Sequence, residues 1–156
     1  MPESVFYSWQ SDLPNNSNRS FIEGVLEAVA KRTVDEQGQP VIVVDRDTKD
    51  VPGSPDISDS ILSKIASAGI MVADVSIVQR GSPRKMNSPD ADEDGQIRPT
   101  PNPNVLFELG YAVRALGWER IVLVFNQAYG EVRELPFDLT KKRMFTYHFH
   151  SAEEKA

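Results

Sequence analysis

Four short runs rich in β-branched, aliphatic and aromatic residues, at positions 5–9, 41–44, 70–75 and 121–125, punctuate this chain. Between them lie longer segments in which apolar side chains recur every third or fourth position. A continuous apolar run predicts a strand covered on both faces, and three-to-four spacing predicts an amphipathic helix. Residues 17–32 form the first such helix, with Phe21, Ile22, Val25, Leu26 and Val29 as an inward stripe opposite Glu23, Glu27 and Lys31. A second helix is predicted from a Ser54 cap with Pro55 at its first position. Its stripe is Ile57, Ile61, Leu62 and Ile65, and Gly69 stops it.

The third helix is the most informative. Asn102 is a good N-cap, Pro103 suits the first helical position because its missing N–H has no partner there, and Gly117 closes the segment. Val105, Leu106, Leu109, Val113 and Leu116 face inward, with Asn104, Glu108 and Ala115 along one edge of that stripe. Residues 127–140 read as irregular, with 135–139 packing under the sheet, and residues 143–149 alternate as an edge strand does. Strand and helix therefore alternate. The expected architecture is α/β: a five-stranded, mainly parallel sheet with helices on both faces.

Composition narrows the picture. The 156 residues suit one domain, expected over residues 1–150, with 151–156 as a tail or the start of a linker to a further domain. Residues 79–101 hold several prolines and an acidic run, lack apolar periodicity and read as a flexible insertion. The acidic run 90–94 lacks the glycine and ligand spacing of a calcium loop, so it reads as solvated chain. A net charge of -6 argues against nucleic acid and anionic membranes as partners. The chain has no cysteine, two histidines, no apolar run of membrane-spanning length and no signal-peptide pattern at Met1. The expectations are a cytoplasmic protein without disulfides, without a metal site and without a Ser-His-Asp triad.

In parallel sheets ligands bind beyond the carboxyl ends of the strands. Ser8, Trp9 and Gln10 follow the first strand here, Asp45 and Arg46 the second, and Asp74 and Ser76 the third, while Asn104 and Glu108 on the third helix can face the same rim. No glycine-rich phosphate fingerprint follows any strand. Each candidate has a plainer role beside its chemical one. Glu108 is either a partly desolvated reactive carboxylate or the partner of Arg46 or Arg114. Trp9 stacks on a ligand or packs; Asp74 binds a ribose hydroxyl or caps the next loop; Arg46 meets a pyrophosphate or pairs with Asp45 or Asp47.

The segments Val5-Phe6-Tyr7-Ser8-Trp9-Gln10-Ser11-Asp12, Asp74-Val75-Ser76 and Asn104-Val105-Leu106-Phe107-Glu108-Leu109-Gly110 together resemble a bacterial Toll/interleukin-1 receptor (TIR) domain. The resemblance implies a flavodoxin-like TIR fold and cleavage of nicotinamide from NAD+, with Glu108 catalytic and NAD+ as substrate, needing no cofactor. It further implies that Ser8, Trp9, Gln10, Arg46, Asp74 and Asn104 bind substrate, and that residues 45–55 correspond to the family's BB loop, a contact between subunits. Homo-oligomeric assembly, a fused or partner sensor for a cyclic nucleotide and a role in anti-phage defence follow from the same family. The sequence Glu108-Leu109-Gly110-Tyr111-Ala112 is similar to nucleoside 2-deoxyribosyltransferases as well, whose glutamate attacks the anomeric carbon. The alternatives are therefore a nucleoside or nucleotide N-glycosylase or deoxyribosyltransferase, and a TIR module that only binds its own kind.

Overall fold

The computed structural model describes residues 1–45, 56–78 and 98–150. Five strands, β1 (Glu3–Ser8), β2 (Ile42–Asp45), β3 (Ile70–Asp74), β4 (Ile121–Asn126) and β5 (Met144–Tyr147), form one sheet in the order β2-β1-β3-β4-β5. Every pairing is parallel, so the sheet is wholly rather than mainly parallel. The fold is α/β and flavodoxin-like. Helices α2 (Ile57–Ser67) and α3 (Pro103–Leu116) cover one face, and α1 (Arg19–Arg32) lies on the other. None of these helices is long and apolar enough to cross a membrane.

Side-chain alternation along β1 assigns each residue to a face. Phe6 joins Met71, Ala73, Leu123 and Phe125 beneath α2 and α3, while Val5 and Tyr7 join Val72 against Ile22 of α1. The α3 stripe is buried at Val105, Leu109, Ala112 and Leu116, with Leu106 and Val113 packed beside it. Gly117, at φ +81°, ends the helix in a conformation that a side chain would strain.

The α1 stripe departs from expectation. Only Ile22 is buried; Phe21, Val25 and Val29 are 39%, 49% and 48% exposed. One helix is too narrow to cover a face five strands wide, and the apolar surface beyond it joins Phe21 and Val25 to Val124 and Phe145 along an open groove of about 580 Å³. The second strand was expected to be covered on both faces, but β2 is an edge strand with Val43 46% exposed. Helix α2 starts at Ile57, capped by Asp56, whose carboxylate accepts from the Asp59 N–H, and not at Ser54. The stretch read as irregular folds into 3₁₀ turns and a short helix, α4 (Phe137–Thr140). Leu135 and Leu139 there are buried under the sheet while Phe137 points to solvent. Residues 79–97 of the predicted insertion, the loop at 46–55 and the tail at 151–156 lie outside the described residues, while at the insertion's end the Thr100 carbonyl accepts from the Val78 N–H.

Candidate active site

Alternation places Ser8, like Phe6, on the α3 side of the sheet, at the carboxyl end of β1. The N-terminal turns of α3 stand over that end. Asn102 accepts hydrogen bonds from the N–H groups of Asn104 and Val105, 2.8 and 3.3 Å away, and so holds the first turn in place. Glu108, in the second turn and half-buried, reaches down to the sheet. The Ser8 hydroxyl, 1% exposed, donates to Glu108 Oε2 at 2.5 Å, joining residues a hundred positions apart. A hydrogen bond to a carboxylate this short is of the strong, charge-assisted kind and holds the acceptor in one orientation.

The pair lines a cavity of about 260 Å³ whose wall also includes Trp9, Gln10, Ser11, Ile61, Asn102 and Asn104. That is slightly below the roughly 300–1,000 Å³ of ordinary small-molecule sites. Of the predicted residues, Ser8, Trp9, Gln10, Asn104 and Glu108 therefore share one cavity. Trp9 lies just past the strand, with the Arg19 guanidinium carbon 3.6 Å from its ring centroid, a cation–π stack. Arg46 lies outside the described residues. Its neighbour Asp45 pairs with Lys64 of α2 at 2.8 Å.

Asp74, expected to bind a substrate hydroxyl or to cap the next loop, is fully buried and is not among the residues that line the cavity. Its Oδ1 accepts from the Ser76 N–H at 3.0 Å, the loop-capping role, and its Oδ2 accepts from Gln10 Nε2 and Asn18 Nδ2, both at 3.0 Å. Asn18 also donates to Ser76 Oγ and accepts from Asn126 Nδ2. Burying so many polar groups is tolerable only because they satisfy one another. Gln10 belongs to this network as much as to the cavity: it is 2% exposed and both ends of its amide are engaged.

Beneath the site, burial, reinforced by the charge of Asp74, holds the Tyr7 phenol far above its ordinary pKa range. The same causes, burial first and Asp74 second, raise Tyr147. Both stay protonated and donate, Tyr7 to the Arg19 carbonyl at 3.4 Å and Tyr147 to the Ser17 carbonyl at 2.7 Å.

The sequence reading took Asn102 for a cap alone, yet it also lines the cavity and donates to Asp12 Oδ2 at 2.6 Å. The cap of a helix that carries a candidate carboxylate must lie near the same rim, and that proximity was the available signal. The network partners Asn18, Ser76 and Asn126 had only their positions in its favour, at strand ends and at a helix start.

What the arrangement offers chemically, among the described residues, is one oriented carboxylate beside Trp9 and amide side chains. Such a carboxylate can stabilise or trap a positive charge developing on a sugar carbon. No family model matches this chain, and no curated protein matches it. Among solved structures, a 2-desoxiribosyltransferase from Leishmania mexicana is similar, at 14% identity over 98% of this chain and 93% of that one, with a TM-score of 0.47.

Proposed function

We propose that this cavity cleaves the N-glycosidic bond of a nicotinamide nucleotide, with NAD+ as substrate and Glu108 as the catalytic carboxylate. The observation that carries the reading is the Ser8–Glu108 hydrogen bond inside a cavity walled by Trp9. In this reaction the bond from ribose C1′ to the pyridinium nitrogen breaks and its electron pair goes to nitrogen, so nicotinamide leaves neutral and needs no proton. The positive charge passes to the sugar, where Glu108 stabilises or traps it until water adds at C1′ and gives up a proton.

The site suits a base that leaves unaided. Among the described residues of the cavity wall Glu108 is the one carboxylate, and Asp74, the other candidate acid, is occupied beneath the loop. An uncharged purine or pyrimidine departs more readily when a second acid protonates it. Trp9 lines the cavity beside the carboxylate, its ring stacked against Arg19 and packed on the cluster beneath α1. The remaining nucleotide extends from the cavity mouth.

The test is base release from NAD+ and, separately, from 2′-deoxynucleosides, by wild type and by Glu108→Gln. Dilute and artificially clustered protein are both assayed, because tethering raises effective concentration to about millimolar and assembly is the expected control. Nicotinamide release that Glu108→Gln abolishes supports the reading. Release from deoxynucleosides alone replaces it with deoxyribosyl chemistry at the same carboxylate, and no release from either substrate at any degree of clustering leaves an interaction module.

A further inference from the structure

Gln10 is positioned to govern the cavity without touching the reacting atoms. Its Nε2 donates to the buried Asp74 carboxylate, and its Oε1 accepts from the Asp12 and Leu13 N–H groups at 2.8 and 3.0 Å. This orientation is locked. Turning the amide over would set its oxygen against a carboxylate and its NH2 group against two N–H donors, three repulsive pairs in a buried place.

We propose that Gln10 is the positioning residue that sets the mouth of the cavity, through a line of hydrogen bonds running from Asp74 to the helix that bears Glu108. From Gln10 the line passes to Asp12 and from the Asp12 carboxylate to Asn102 Nδ2. Asn102 Oδ1 then caps α3, so one amide side chain ties the β1–α1 loop to the helix across the cavity. Trp9 is the residue immediately before Gln10, so the backbone that Gln10 anchors also carries Trp9. Glu108 has its own supports, the Ser8 hydroxyl and the buried stripe of α3. Loosening Gln10 therefore disorders the wall that receives the base more than the carboxylate that meets the sugar. Asp74 is likewise a positioning residue acting through Gln10, in place of the ligand-binding role first expected of it.

Gln10→Glu tests the line, since it sets a second carboxylate about 3 Å from Asp74. In Gln10→Glu/Asp74→Asn the amide and the carboxylate trade places at this one contact, while the new NH2 group also meets Asn18 Nδ2, so only part of the site is restored. Backbone hydrogen exchange at Asp12 and Leu13, followed by NMR, is expected to quicken at least about tenfold in Gln10→Glu and to slow again in part in the double variant. The kinetic arm rests on the proposed base release: Gln10→Glu should raise KM for NAD+ at least about tenfold with kcat within about threefold. Should Gln10→Glu fail to fold, Gln10→Met fills the same space without either hydrogen bond, and the same quickening is expected of it. Unchanged exchange at both amides overturns the proposal. A fall in kcat at constant KM overturns it too. If wild type releases no base at all, the exchange measurements still decide the role of Gln10, while the reading of the cavity fails by itself.

Discussion

Ser8→Ala removes one oxygen atom from the floor of the cavity and leaves the backbone of β1 as it was. The lost contact is a 2.5 Å hydrogen bond between a hydroxyl that is 1% exposed and a half-buried carboxylate. Hydrogen bonds to charged groups contribute about 1.5–3 kcal/mol. Water from the cavity can replace part of this bond at Glu108, so the lower half of that range applies, about 1.5–2 kcal/mol. If the bond matters most when positive charge develops on the sugar, kcat falls roughly 10- to 30-fold. KM should stay within about threefold, because Trp9 and the amide side chains of the wall remain. The folded state loses less, about 1 kcal/mol, since alanine buries no polar atom; for a domain of this size that is about 2–4 °C in Tm. Steady-state nicotinamide release under clustering conditions gives kcat and KM, and calorimetry gives Tm. A kcat within about threefold of wild type refutes the claim that Ser8 orients the reacting carboxylate. A rise in KM alone would make Ser8 a substrate contact instead, and a Tm loss above about 10 °C would make the bond chiefly structural.

Glu108→Gln should abolish base release, a loss of at least about a thousandfold, with Tm changed by only a few degrees; release within about threefold of wild type would remove Glu108 from the mechanism. Asn102→Ala loses both the α3 cap and the bond to Asp12, which should cost about 1–2 kcal/mol and lower Tm by roughly 3–8 °C, and an unchanged Tm would show that water caps the helix equally well. Because Tyr7 holds its proton more tightly folded than unfolded, the unfolded chain ionises first, and stability should fall as pH rises above about 10, by up to about 1.4 kcal/mol per pH unit. Urea midpoints from pH 9 to 11 should show a shallower fall in Tyr7→Phe, and an identical slope would exclude Tyr7 as its source. Val25→Lys should change stability by less than about 1 kcal/mol, since that side chain is already 49% exposed; a larger loss would mean that the α1 face is covered in solution.

Where the sequence could be read and where it could not follows from what kind of neighbour decides each role. The start of α3 is decided within three residues: Asn102 caps, Pro103 has no N–H to leave unpaired, and both are visible in the sequence. That Ser8 and Glu108 share one rim follows from strand-end logic and family resemblance, whereas the hydrogen bond that joins them across a hundred positions is not legible in the sequence. Asp74 went the other way. A strand-end aspartate looks the same whether it faces a ligand or caps a loop, and here Gln10 and Asn18, from the opposite end of the chain, supply the donors that draw it inward. The stripes of α1 and α3 look equally apolar in sequence, yet one is half in water and the other buried. Periodicity reports which side chains share a surface of a helix, whereas burial depends on how many helices share a face of the sheet. Among the described residues α2 and α3 share one face while α1 is the one helix on the other, and Val105 and Val25 meet opposite fates. The same asymmetry serves the site. Ile61 of α2 and Asn104 and Glu108 of α3 line the cavity from the face those helices share, and Gln10, held by the polar network, lines it from the end of β1.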